Sequence, residues 1–190
     1  MIKHIVSILL IFSSFTAFGQ GFEFYREDID FTLNDGVFKV NGYYYFRNET
    51  PDRIISRLIY PFPVDSCYGK IDSVSAVDMV SKLNKLLKSN RKSAIIELNL
   101  NPFDTAVINI SYIQKLKSDK AEYILTTTQS WGKGFDVANY QLTTCPRIQI
   151  DSITYVPDTI QAIQGKTVYT WTKKNFMPDK NFVLFFRKGE

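Results

Sequence analysis

AEYILTTTQSWGKGFDVANYQL, residues 121–142, decides how the chain is organised. It is typical of a strand that passes through a threonine triplet, reaches Trp131, turns at a Gly-Lys-Gly sequence and enters a second strand. We expect Tyr123, Leu125 and Tyr140 to serve the core. The sequence on both sides of this stretch is typical of further strands that close the same core.

The rest of the chain repeats the strand pattern. Two alternating runs, 22–34 and 37–48, flank an Asn-Asp-Gly turn and predict a hairpin. Gly42 inside the second run indicates a bulge or a close backbone approach. With turns every ~8–12 residues, residues 20–190 are predicted to form one all-β domain, an antiparallel β-sandwich of about ten strands. Residues 80–89 fit a short helix or a hairpin strand, and the hairpin is favoured because β sequence follows.

The N-terminus has the pattern of a cleavable signal peptide. A basic start, an apolar run over 5–12 and small residues before position 20 predict removal of residues 1–19. The mature chain would begin at Gln20 or Gly21. No later stretch approaches the ~18 apolar residues of a membrane-spanning helix. We therefore expect an exported protein, periplasmic or secreted, without a transmembrane segment in its mature form.

Export would remove the chain's single histidine, His4. This excludes serine or cysteine triads that use imidazole as the base, and metal sites that use histidine. The sequence has no calcium-loop spacing, phosphate-binding glycine loop or nucleophile elbow. A formal net charge of +4 is too small to indicate nucleic acid as a partner. We expect no cofactor, no metal and no catalytic residue from these patterns.

Two cysteines, Cys67 and Cys145, leave two alternatives open. In an oxidising compartment they could form a disulfide worth roughly 4 kcal/mol. They could equally be two unpaired, buried thiols. A catalytic role is disfavoured because the usual histidine base is missing.

Several segments resemble strands of a known β-sandwich domain. They are GYYYFRNET (42–50), LIYPFP (58–63), INISYIQKL (108–116) and AEYILTTTQSW (121–131). Residues 37–145 are similar to the domain shared by vault proteins and the inter-alpha-trypsin inhibitor heavy chains. They are equally similar to exported bacterial domains of unknown function that are built the same way. The resemblance implies the fold and brings no catalytic residues with it.

Two groups of aromatic and basic residues are candidate ligand-binding sites. Trp131 and Lys133 lie at a glycine-flanked turn, where Trp131 could stack on a sugar or anchor in a partner's pocket. The alternative is that Trp131 folds back onto the edge of the sandwich as a plug. Tyr43 and Tyr45 share the face opposite the predicted core face and could bind glycan or peptide. The alternative there is a second core face or a covered edge.

A basic run could meet an acidic polysaccharide or a phosphate surface, although such runs are usually solvated faces. Its members are Lys82, Lys85, Lys88, Arg91 and Lys92. Taken together, these patterns favour a non-catalytic module that binds an envelope protein or a glycan, or an accessory component of the envelope. The alternative is a secreted hydrolase, such as a glycosidase with two carboxyl groups about 5–10 Å apart.

Overall fold

The computed structural model describes residues 21–189, which form a sandwich built almost entirely of strands. The predicted signal peptide, residues 1–19, lies outside this range. No helix within residues 21–189 is long and apolar enough to cross a membrane. The strands in this range are β1 (Phe22–Asn34), β2 (Val37–Asn48), β3 (Ile54–Pro61), β4 (Tyr68–Asp78), β5 (Leu86–Ser89), β6 (Ser93–Leu100), β7 (Thr105–Leu116), β8 (Lys120–Tyr123), β9 (Phe135–Thr144), β10 (Ile148–Ile153), β11 (Thr159–Ile163), β12 (Lys166–Phe176) and β13 (Phe182–Lys188).

The strands form one large sheet and two small ones. The large sheet has the order β11-β12-β9-β1-β2-β7-β4, and the small sheets have the orders β10-β13-β8 and β3-β6-β5. The predicted all-β sandwich is therefore confirmed. One strand pair differs from a purely antiparallel arrangement, because β1 and β9 run parallel. Parallel neighbours need a long crossover connection, and β2 to β8 supply it.

Both small sheets cover the same face of the large sheet. Phe31 of β1 packs on Phe182 of β13, with ring centroids 4.8 Å apart. Tyr112 of β7 packs on Tyr60 of β3 at 6.0 Å. The second layer of the sandwich is thus made of two sheets placed side by side. Their neighbouring edges are β8 and β3, which are not hydrogen-bonded to each other.

A bulge in β1 decides which side chains reach the core. The pairing with β2 shifts register between Phe24 and Arg26, so Tyr25 is the extra residue. Because side chains alternate along a strand, the extra residue moves the inward-facing side chains from even-numbered to odd-numbered positions. Phe24 therefore lies on the same face as Glu27 and Ile29, although its position is even-numbered and theirs are odd-numbered.

The stretch after β8 differs from the prediction. We expected a strand as far as Ser130, but β8 ends at Tyr123 and a 3-10 helix occupies Thr126–Trp131. The backbone N–H groups of Leu125 and Thr126 donate to Asn181 Oδ1 at 3.1 and 3.2 Å. These tertiary bonds outweigh the β propensity of the threonine triplet. In addition, Gln129 Nε2 donates to the carbonyl of Pro178 at 2.8 Å.

The ambiguous segment 80–89 contains strand β5, which pairs with β6. The hairpin interpretation is therefore confirmed, and the helix alternative at this place is wrong. The β5–β6 pairing shifts register between Leu86 and Lys88, and Leu86 packs partly buried against the core.

The cysteines do not form the disulfide that the sequence left open, because both are free and half-buried. Cys67 directly precedes β4 at one edge of the large sheet, whereas Cys145 directly follows β9. Four strand spacings separate β4 from β9 in that sheet, which amounts to roughly 19 Å. A disulfide needs its Cα atoms within about 7 Å.

Candidate binding pocket

A cavity of about 390 Å³ opens where the edges of β3 and β8 fail to meet. Phe24 and Phe46 of the large sheet line it from below, and Leu58 of β3 lines one side. Ile124, just after β8, and Trp131, at the end of the 3-10 helix, line the opposite side. The lining is mostly apolar, and its volume lies in the range of small-molecule sites.

One acidic side chain, Glu27, belongs to the lining of this cavity. It is only 1% exposed, on the core face of β1. Tyr140 donates a short hydrogen bond of 2.6 Å to Glu27 Oε1, and Tyr123 donates a longer one of 3.3 Å to Oε2. No basic side chain forms an ion pair with Glu27 among residues 21–189. A buried carboxyl held only by hydroxyl groups is unusual and points to a specific role.

Burial raises the pKa of Glu27 to about 7, because an ionised carboxylate loses its hydration in this site. The hydrogen bonds from Tyr140 and Tyr123 oppose this effect, and the charge of Asp28 adds to it. Glu27 therefore changes its protonation state near neutral pH.

Further tyrosine hydroxyl groups extend the contacts of Glu27 across the cavity. Tyr123 Oη lies 3.0 Å from Tyr44 Oη, which in turn lies 2.8 Å from Tyr60 Oη. Tyr44 comes from the large sheet, Tyr123 from β8 and Tyr60 from β3. We call Glu27, Tyr140, Tyr123, Tyr44 and Tyr60 the tyrosine chain. It joins all three sheets of the sandwich at the base of the cavity.

Tyr112 offers a contrast to the tyrosine chain. Its hydroxyl is buried and has no hydrogen-bond partner among the residues described. An unpaired buried hydroxyl is costly, so Tyr112→Phe should leave the free energy of unfolding unchanged or raise it by up to ~1 kcal/mol. Tyr140→Phe should lower it by ~2 kcal/mol, because it removes a charge-assisted bond. Urea titrations at about pH 8.5, where Glu27 is ionised, measure the free energy of unfolding of both variants. Equal decreases in the two variants would contradict the assignment of the hydrogen bond from Tyr140 to Glu27.

Trp131 lies at the rim of the cavity, half-buried, instead of at an exposed tip. Its ring meets Phe22 at 5.3 Å, Phe24 at 5.8 Å and Phe46 at 5.9 Å between centroids. It therefore folds back onto the sandwich, as the plug alternative predicts, and at the same time lines the cavity. The turn after it uses Gly132 at φ 70°, a left-handed conformation that suits glycine.

Lys133 lies outside the lining of the cavity that contains Trp131. Its ammonium group lies 3.1 Å from Glu23 and 3.8 Å from Asp136. Glu23 also accepts a 2.7 Å hydrogen bond from Arg47 Nε on β2. Lys133 thus belongs to a surface ion-pair network, and the structure does not bring it into the cavity with Trp131.

Tyr43 and Tyr45 lie half-buried on the outer face of the large sheet. Their alternation with the core-facing residues along β2 predicts this face. Tyr45 donates a 2.8 Å hydrogen bond to Asp28, and the guanidinium of Arg26 stacks 4.7 Å above its ring. Arg26 also donates to Asp28 at 2.7 Å. This face is separated from the cavity by the sheet itself, so the two tyrosine candidates and Trp131 do not form one site.

The basic run lies along the β4–β5 connection and the β5–β6 hairpin. Four of its members are exposed, whereas Lys85 is half-buried. None of the ion pairs within residues 21–189 includes a member of this run. The run therefore has the character of a solvated face.

Sequence reasoning missed Glu27 as a site residue. The signal was present, because Glu27 precedes Ile29, Phe31 and Leu33 at a spacing of two and so falls on their core face. An acidic residue on an apolar face is a marker of a functional or network role. Tyr123 and Tyr140 are buried, as predicted, but their hydroxyl groups serve Glu27 as well as the core.

Comparisons with known proteins show the fold. No protein-family model and no curated protein matches the chain. A Legionella pneumophila structure, assigned provisionally as a nutrient-binding protein, aligns with a TM-score of 0.69 at 13% identity, covering 87% of this chain and 67% of that one. The resemblance to vault and inhibitor domains stays a prediction, since the similar structures named in this section are of other kinds.

Two structures of an M1 zinc metallopeptidase from Deinococcus radiodurans also align. One has a TM-score of 0.54 at 8% identity, and the other, a variant bound to the substrate Tyr-Ser-Ala, has 0.53 at 9%. They cover 88% and 87% of this chain, which in turn spans 43% of the peptidase chains. At such identities the similarity shows a shared fold.

Proposed function

We propose that this protein is an exported, non-catalytic binding module that takes an apolar group of a small ligand into the cavity between β3 and β8. The observation that carries the proposal is a mostly apolar cavity of about 390 Å³ with tyrosine hydroxyls and a buried carboxyl converging at its base. Binding sites for small molecules have this composition. The similar fold of a provisional nutrient-binding protein supports a binding role.

The hydrolase alternative receives no support from this cavity. A carboxylate-based glycosidase needs two carboxyl groups on either side of its substrate. Among the residues of the described range 21–189 that line the cavity, Glu27 is the one acidic residue. Its neighbour Asp28 points to the opposite face of the sheet, where it accepts hydrogen bonds from Arg26, Tyr45 and Asn139.

Filling the mouth of the cavity should weaken ligand binding. Thr127 is exposed and lines the cavity, so Thr127→Trp places a large ring at the entrance without disturbing the core. With the uncharged fluorescent probe N-phenyl-1-naphthylamine, we expect Thr127→Trp to weaken binding by at least about tenfold, which is ~1.4 kcal/mol. Fluorescence titration at constant pH measures the dissociation constant.

Thr159→Trp is the matched control. Thr159 is also an exposed threonine, but it lies in β11 at the far edge of the large sheet. This variant should bind the probe as the wild type does, and circular dichroism should show both variants folded. Equal affinity in all three proteins, or no binding by the wild type, would rule out the cavity as the binding site.

A further inference from the structure

The direction of the hydrogen bonds in the tyrosine chain depends on Glu27. An ionised carboxylate can only accept hydrogen bonds, so Tyr123 donates to Glu27 Oε2. A hydroxyl has one hydrogen, and the contact between Tyr123 and Tyr44 therefore requires Tyr44 to donate. By the same reasoning, Tyr60 donates to Tyr44. All hydrogens in the chain then point toward Glu27.

Tyr60 is the outer end of this chain, and it lines the cavity. With its hydrogen directed at Tyr44, the Tyr60 oxygen has only lone pairs left to offer. A ligand group that meets this oxygen must therefore bring a hydrogen-bond donor.

Protonation of Glu27 on Oε2 reverses the direction of the hydrogen bonds in the tyrosine chain. Tyr140 keeps its 2.6 Å bond to Oε1, while the new proton on Oε2 is donated to Tyr123. Tyr123 then turns its hydrogen to Tyr44, and Tyr44 turns its own to Tyr60. Each hydroxyl keeps its hydrogen and only rotates. The hydrogen of Tyr60 is released toward the cavity, where it can meet an acceptor.

We propose that the pocket selects ligands by hydrogen-bond polarity, accepting an apolar group with a donor at Tyr60 when Glu27 is ionised and one with an acceptor when Glu27 is protonated. The proposal deepens the proposed function and depends on it, since it names the ligand class of the same cavity. The ligand is an uncharged, mostly apolar compound with one polar group, because the cavity lining is otherwise mostly apolar.

The surroundings of Glu27 permit this switch near neutral pH. The titratable groups that face it are Tyr140 of β9, Tyr123 of β8 and Tyr44 of β2, and burial raises the pKa of each of these phenols well above its usual range. Asp28 stays ionised, since its pKa is lowered, and the guanidinium of Arg57 also lines the cavity. The pKa of Glu27 at about 7 leaves it as the group that changes state.

Two ring compounds of equal size test the selection. Indole offers an N–H donor and no strong acceptor, whereas acetophenone offers a carbonyl acceptor and no donor. Affinities for the full chain are measured by NMR chemical-shift titration at about pH 5.5 and about pH 8.5, on either side of the transition. We expect the ratio of the indole affinity to the acetophenone affinity to rise about fivefold to tenfold from the lower to the higher pH, because indole gains a hydrogen bond to Tyr60 while acetophenone loses one.

Three variants separate the chain from other effects. Glu27→Gln imitates the protonated state, because its amide can accept from Tyr140 and donate to Tyr123; it should favour acetophenone at both pH values. Tyr60→Phe should bind both compounds with a ratio that does not change with pH. Tyr43→Phe, on the outer face of the large sheet, should behave as the wild type.

The outcomes distinguish the two proposals. Binding of both compounds with a pH-independent ratio in the wild type would overturn the polarity switch and leave the cavity as a binding site. A Glu27→Gln variant that follows the wild-type pH dependence would do the same. Failure of both compounds, and of the naphthylamine probe, to bind would overturn the proposed function together with the inference.

Discussion

Between about pH 4 and about pH 9, the stability of the Glu27→Gln variant relative to the wild type is expected to rise by about 3 kcal/mol. The physical reason is the pKa of Glu27, which is about 7 in the folded protein against the ordinary value of 4.5 for a solvated glutamate. Below both values the carboxyl is neutral in the folded and unfolded chains. Above both values the folded wild type must hold a buried charge that the variant lacks.

The sign follows from proton binding. Between the two pKa values the folded protein binds more protons than the unfolded chain, so the wild type loses stability as pH rises through this interval. Glutamine does not titrate, and subtraction of the two curves removes the contributions of all other groups. Guanidinium chloride titrations at a series of pH values give the free energies of unfolding.

Asp28→Asn is the matched control, because Asp28 is the next residue and faces the opposite side of the sheet. Burial alone would raise the pKa of Asp28, but hydrogen bonds from Arg26, Asn139 and Tyr45 lower it overall. Asp28 therefore stabilises the fold above its unfolded pKa, and this is lost as pH falls. The Asn variant should become less stable relative to the wild type as pH rises toward 3.8, the ordinary pKa of aspartate, and the difference should then stay constant at higher pH. A pH-independent difference for Glu27→Gln would show that Glu27 is not buried as described.

Gly42→Ala is expected to lower the free energy of unfolding by about 3 kcal/mol, through overpacking and lost hydrogen bonds. Gly42 is buried, and an added Cβ would lie 2.5 Å from Tyr44 Oη and 2.6 Å from Ile29 Cδ1. Tyr44 would have to move, and with it the contacts to Tyr60 and Tyr123. The same substitution should also remove binding of the naphthylamine probe. Thermal and chemical unfolding measure the first effect, and fluorescence titration measures the second.

Gly189→Ala provides the comparison for Gly42. Gly189 is exposed, and an added Cβ would lie 3.6 Å from the carbonyl of Arg147, an ordinary contact. This variant should match the wild type in stability and binding. A Gly42→Ala protein of wild-type stability would show that the space above Gly42 can open at little cost.

Strand patterns could be predicted because they depend on local alternation. The hairpin of β1 and β2 follows from two period-two runs around Asn-Asp-Gly, and the close approach indicated at Gly42 is present. The bulge at Tyr25 could not be predicted, since it appears only in the pairing of β1 with β2. That bulge brings Phe24 and Glu27 to one face.

The cavity was also beyond prediction from sequence. It exists because β3 and β8 belong to different sheets and leave a gap, a property of the topology that no local pattern carries. Trp131 was predicted as a candidate from its turn, yet its position depends on the 3-10 helix that Asn181, directly before β13, holds by hydrogen bonds. Glu27 could have been predicted from the sequence, because its spacing of two from Ile29 already placed it on the core face.

The parallel pairing of β1 with β9 also sets the order in which the chain can fold. Asp28 and Asn139, which face each other across this pair, are 111 residues apart in sequence. Contacts between such distant residues close large loops and slow folding. Until Phe135–Thr144 has been synthesised, one edge of β1 presents a row of unpaired amide groups. A chain ending earlier would keep that edge open, and open edges of this kind associate with other chains.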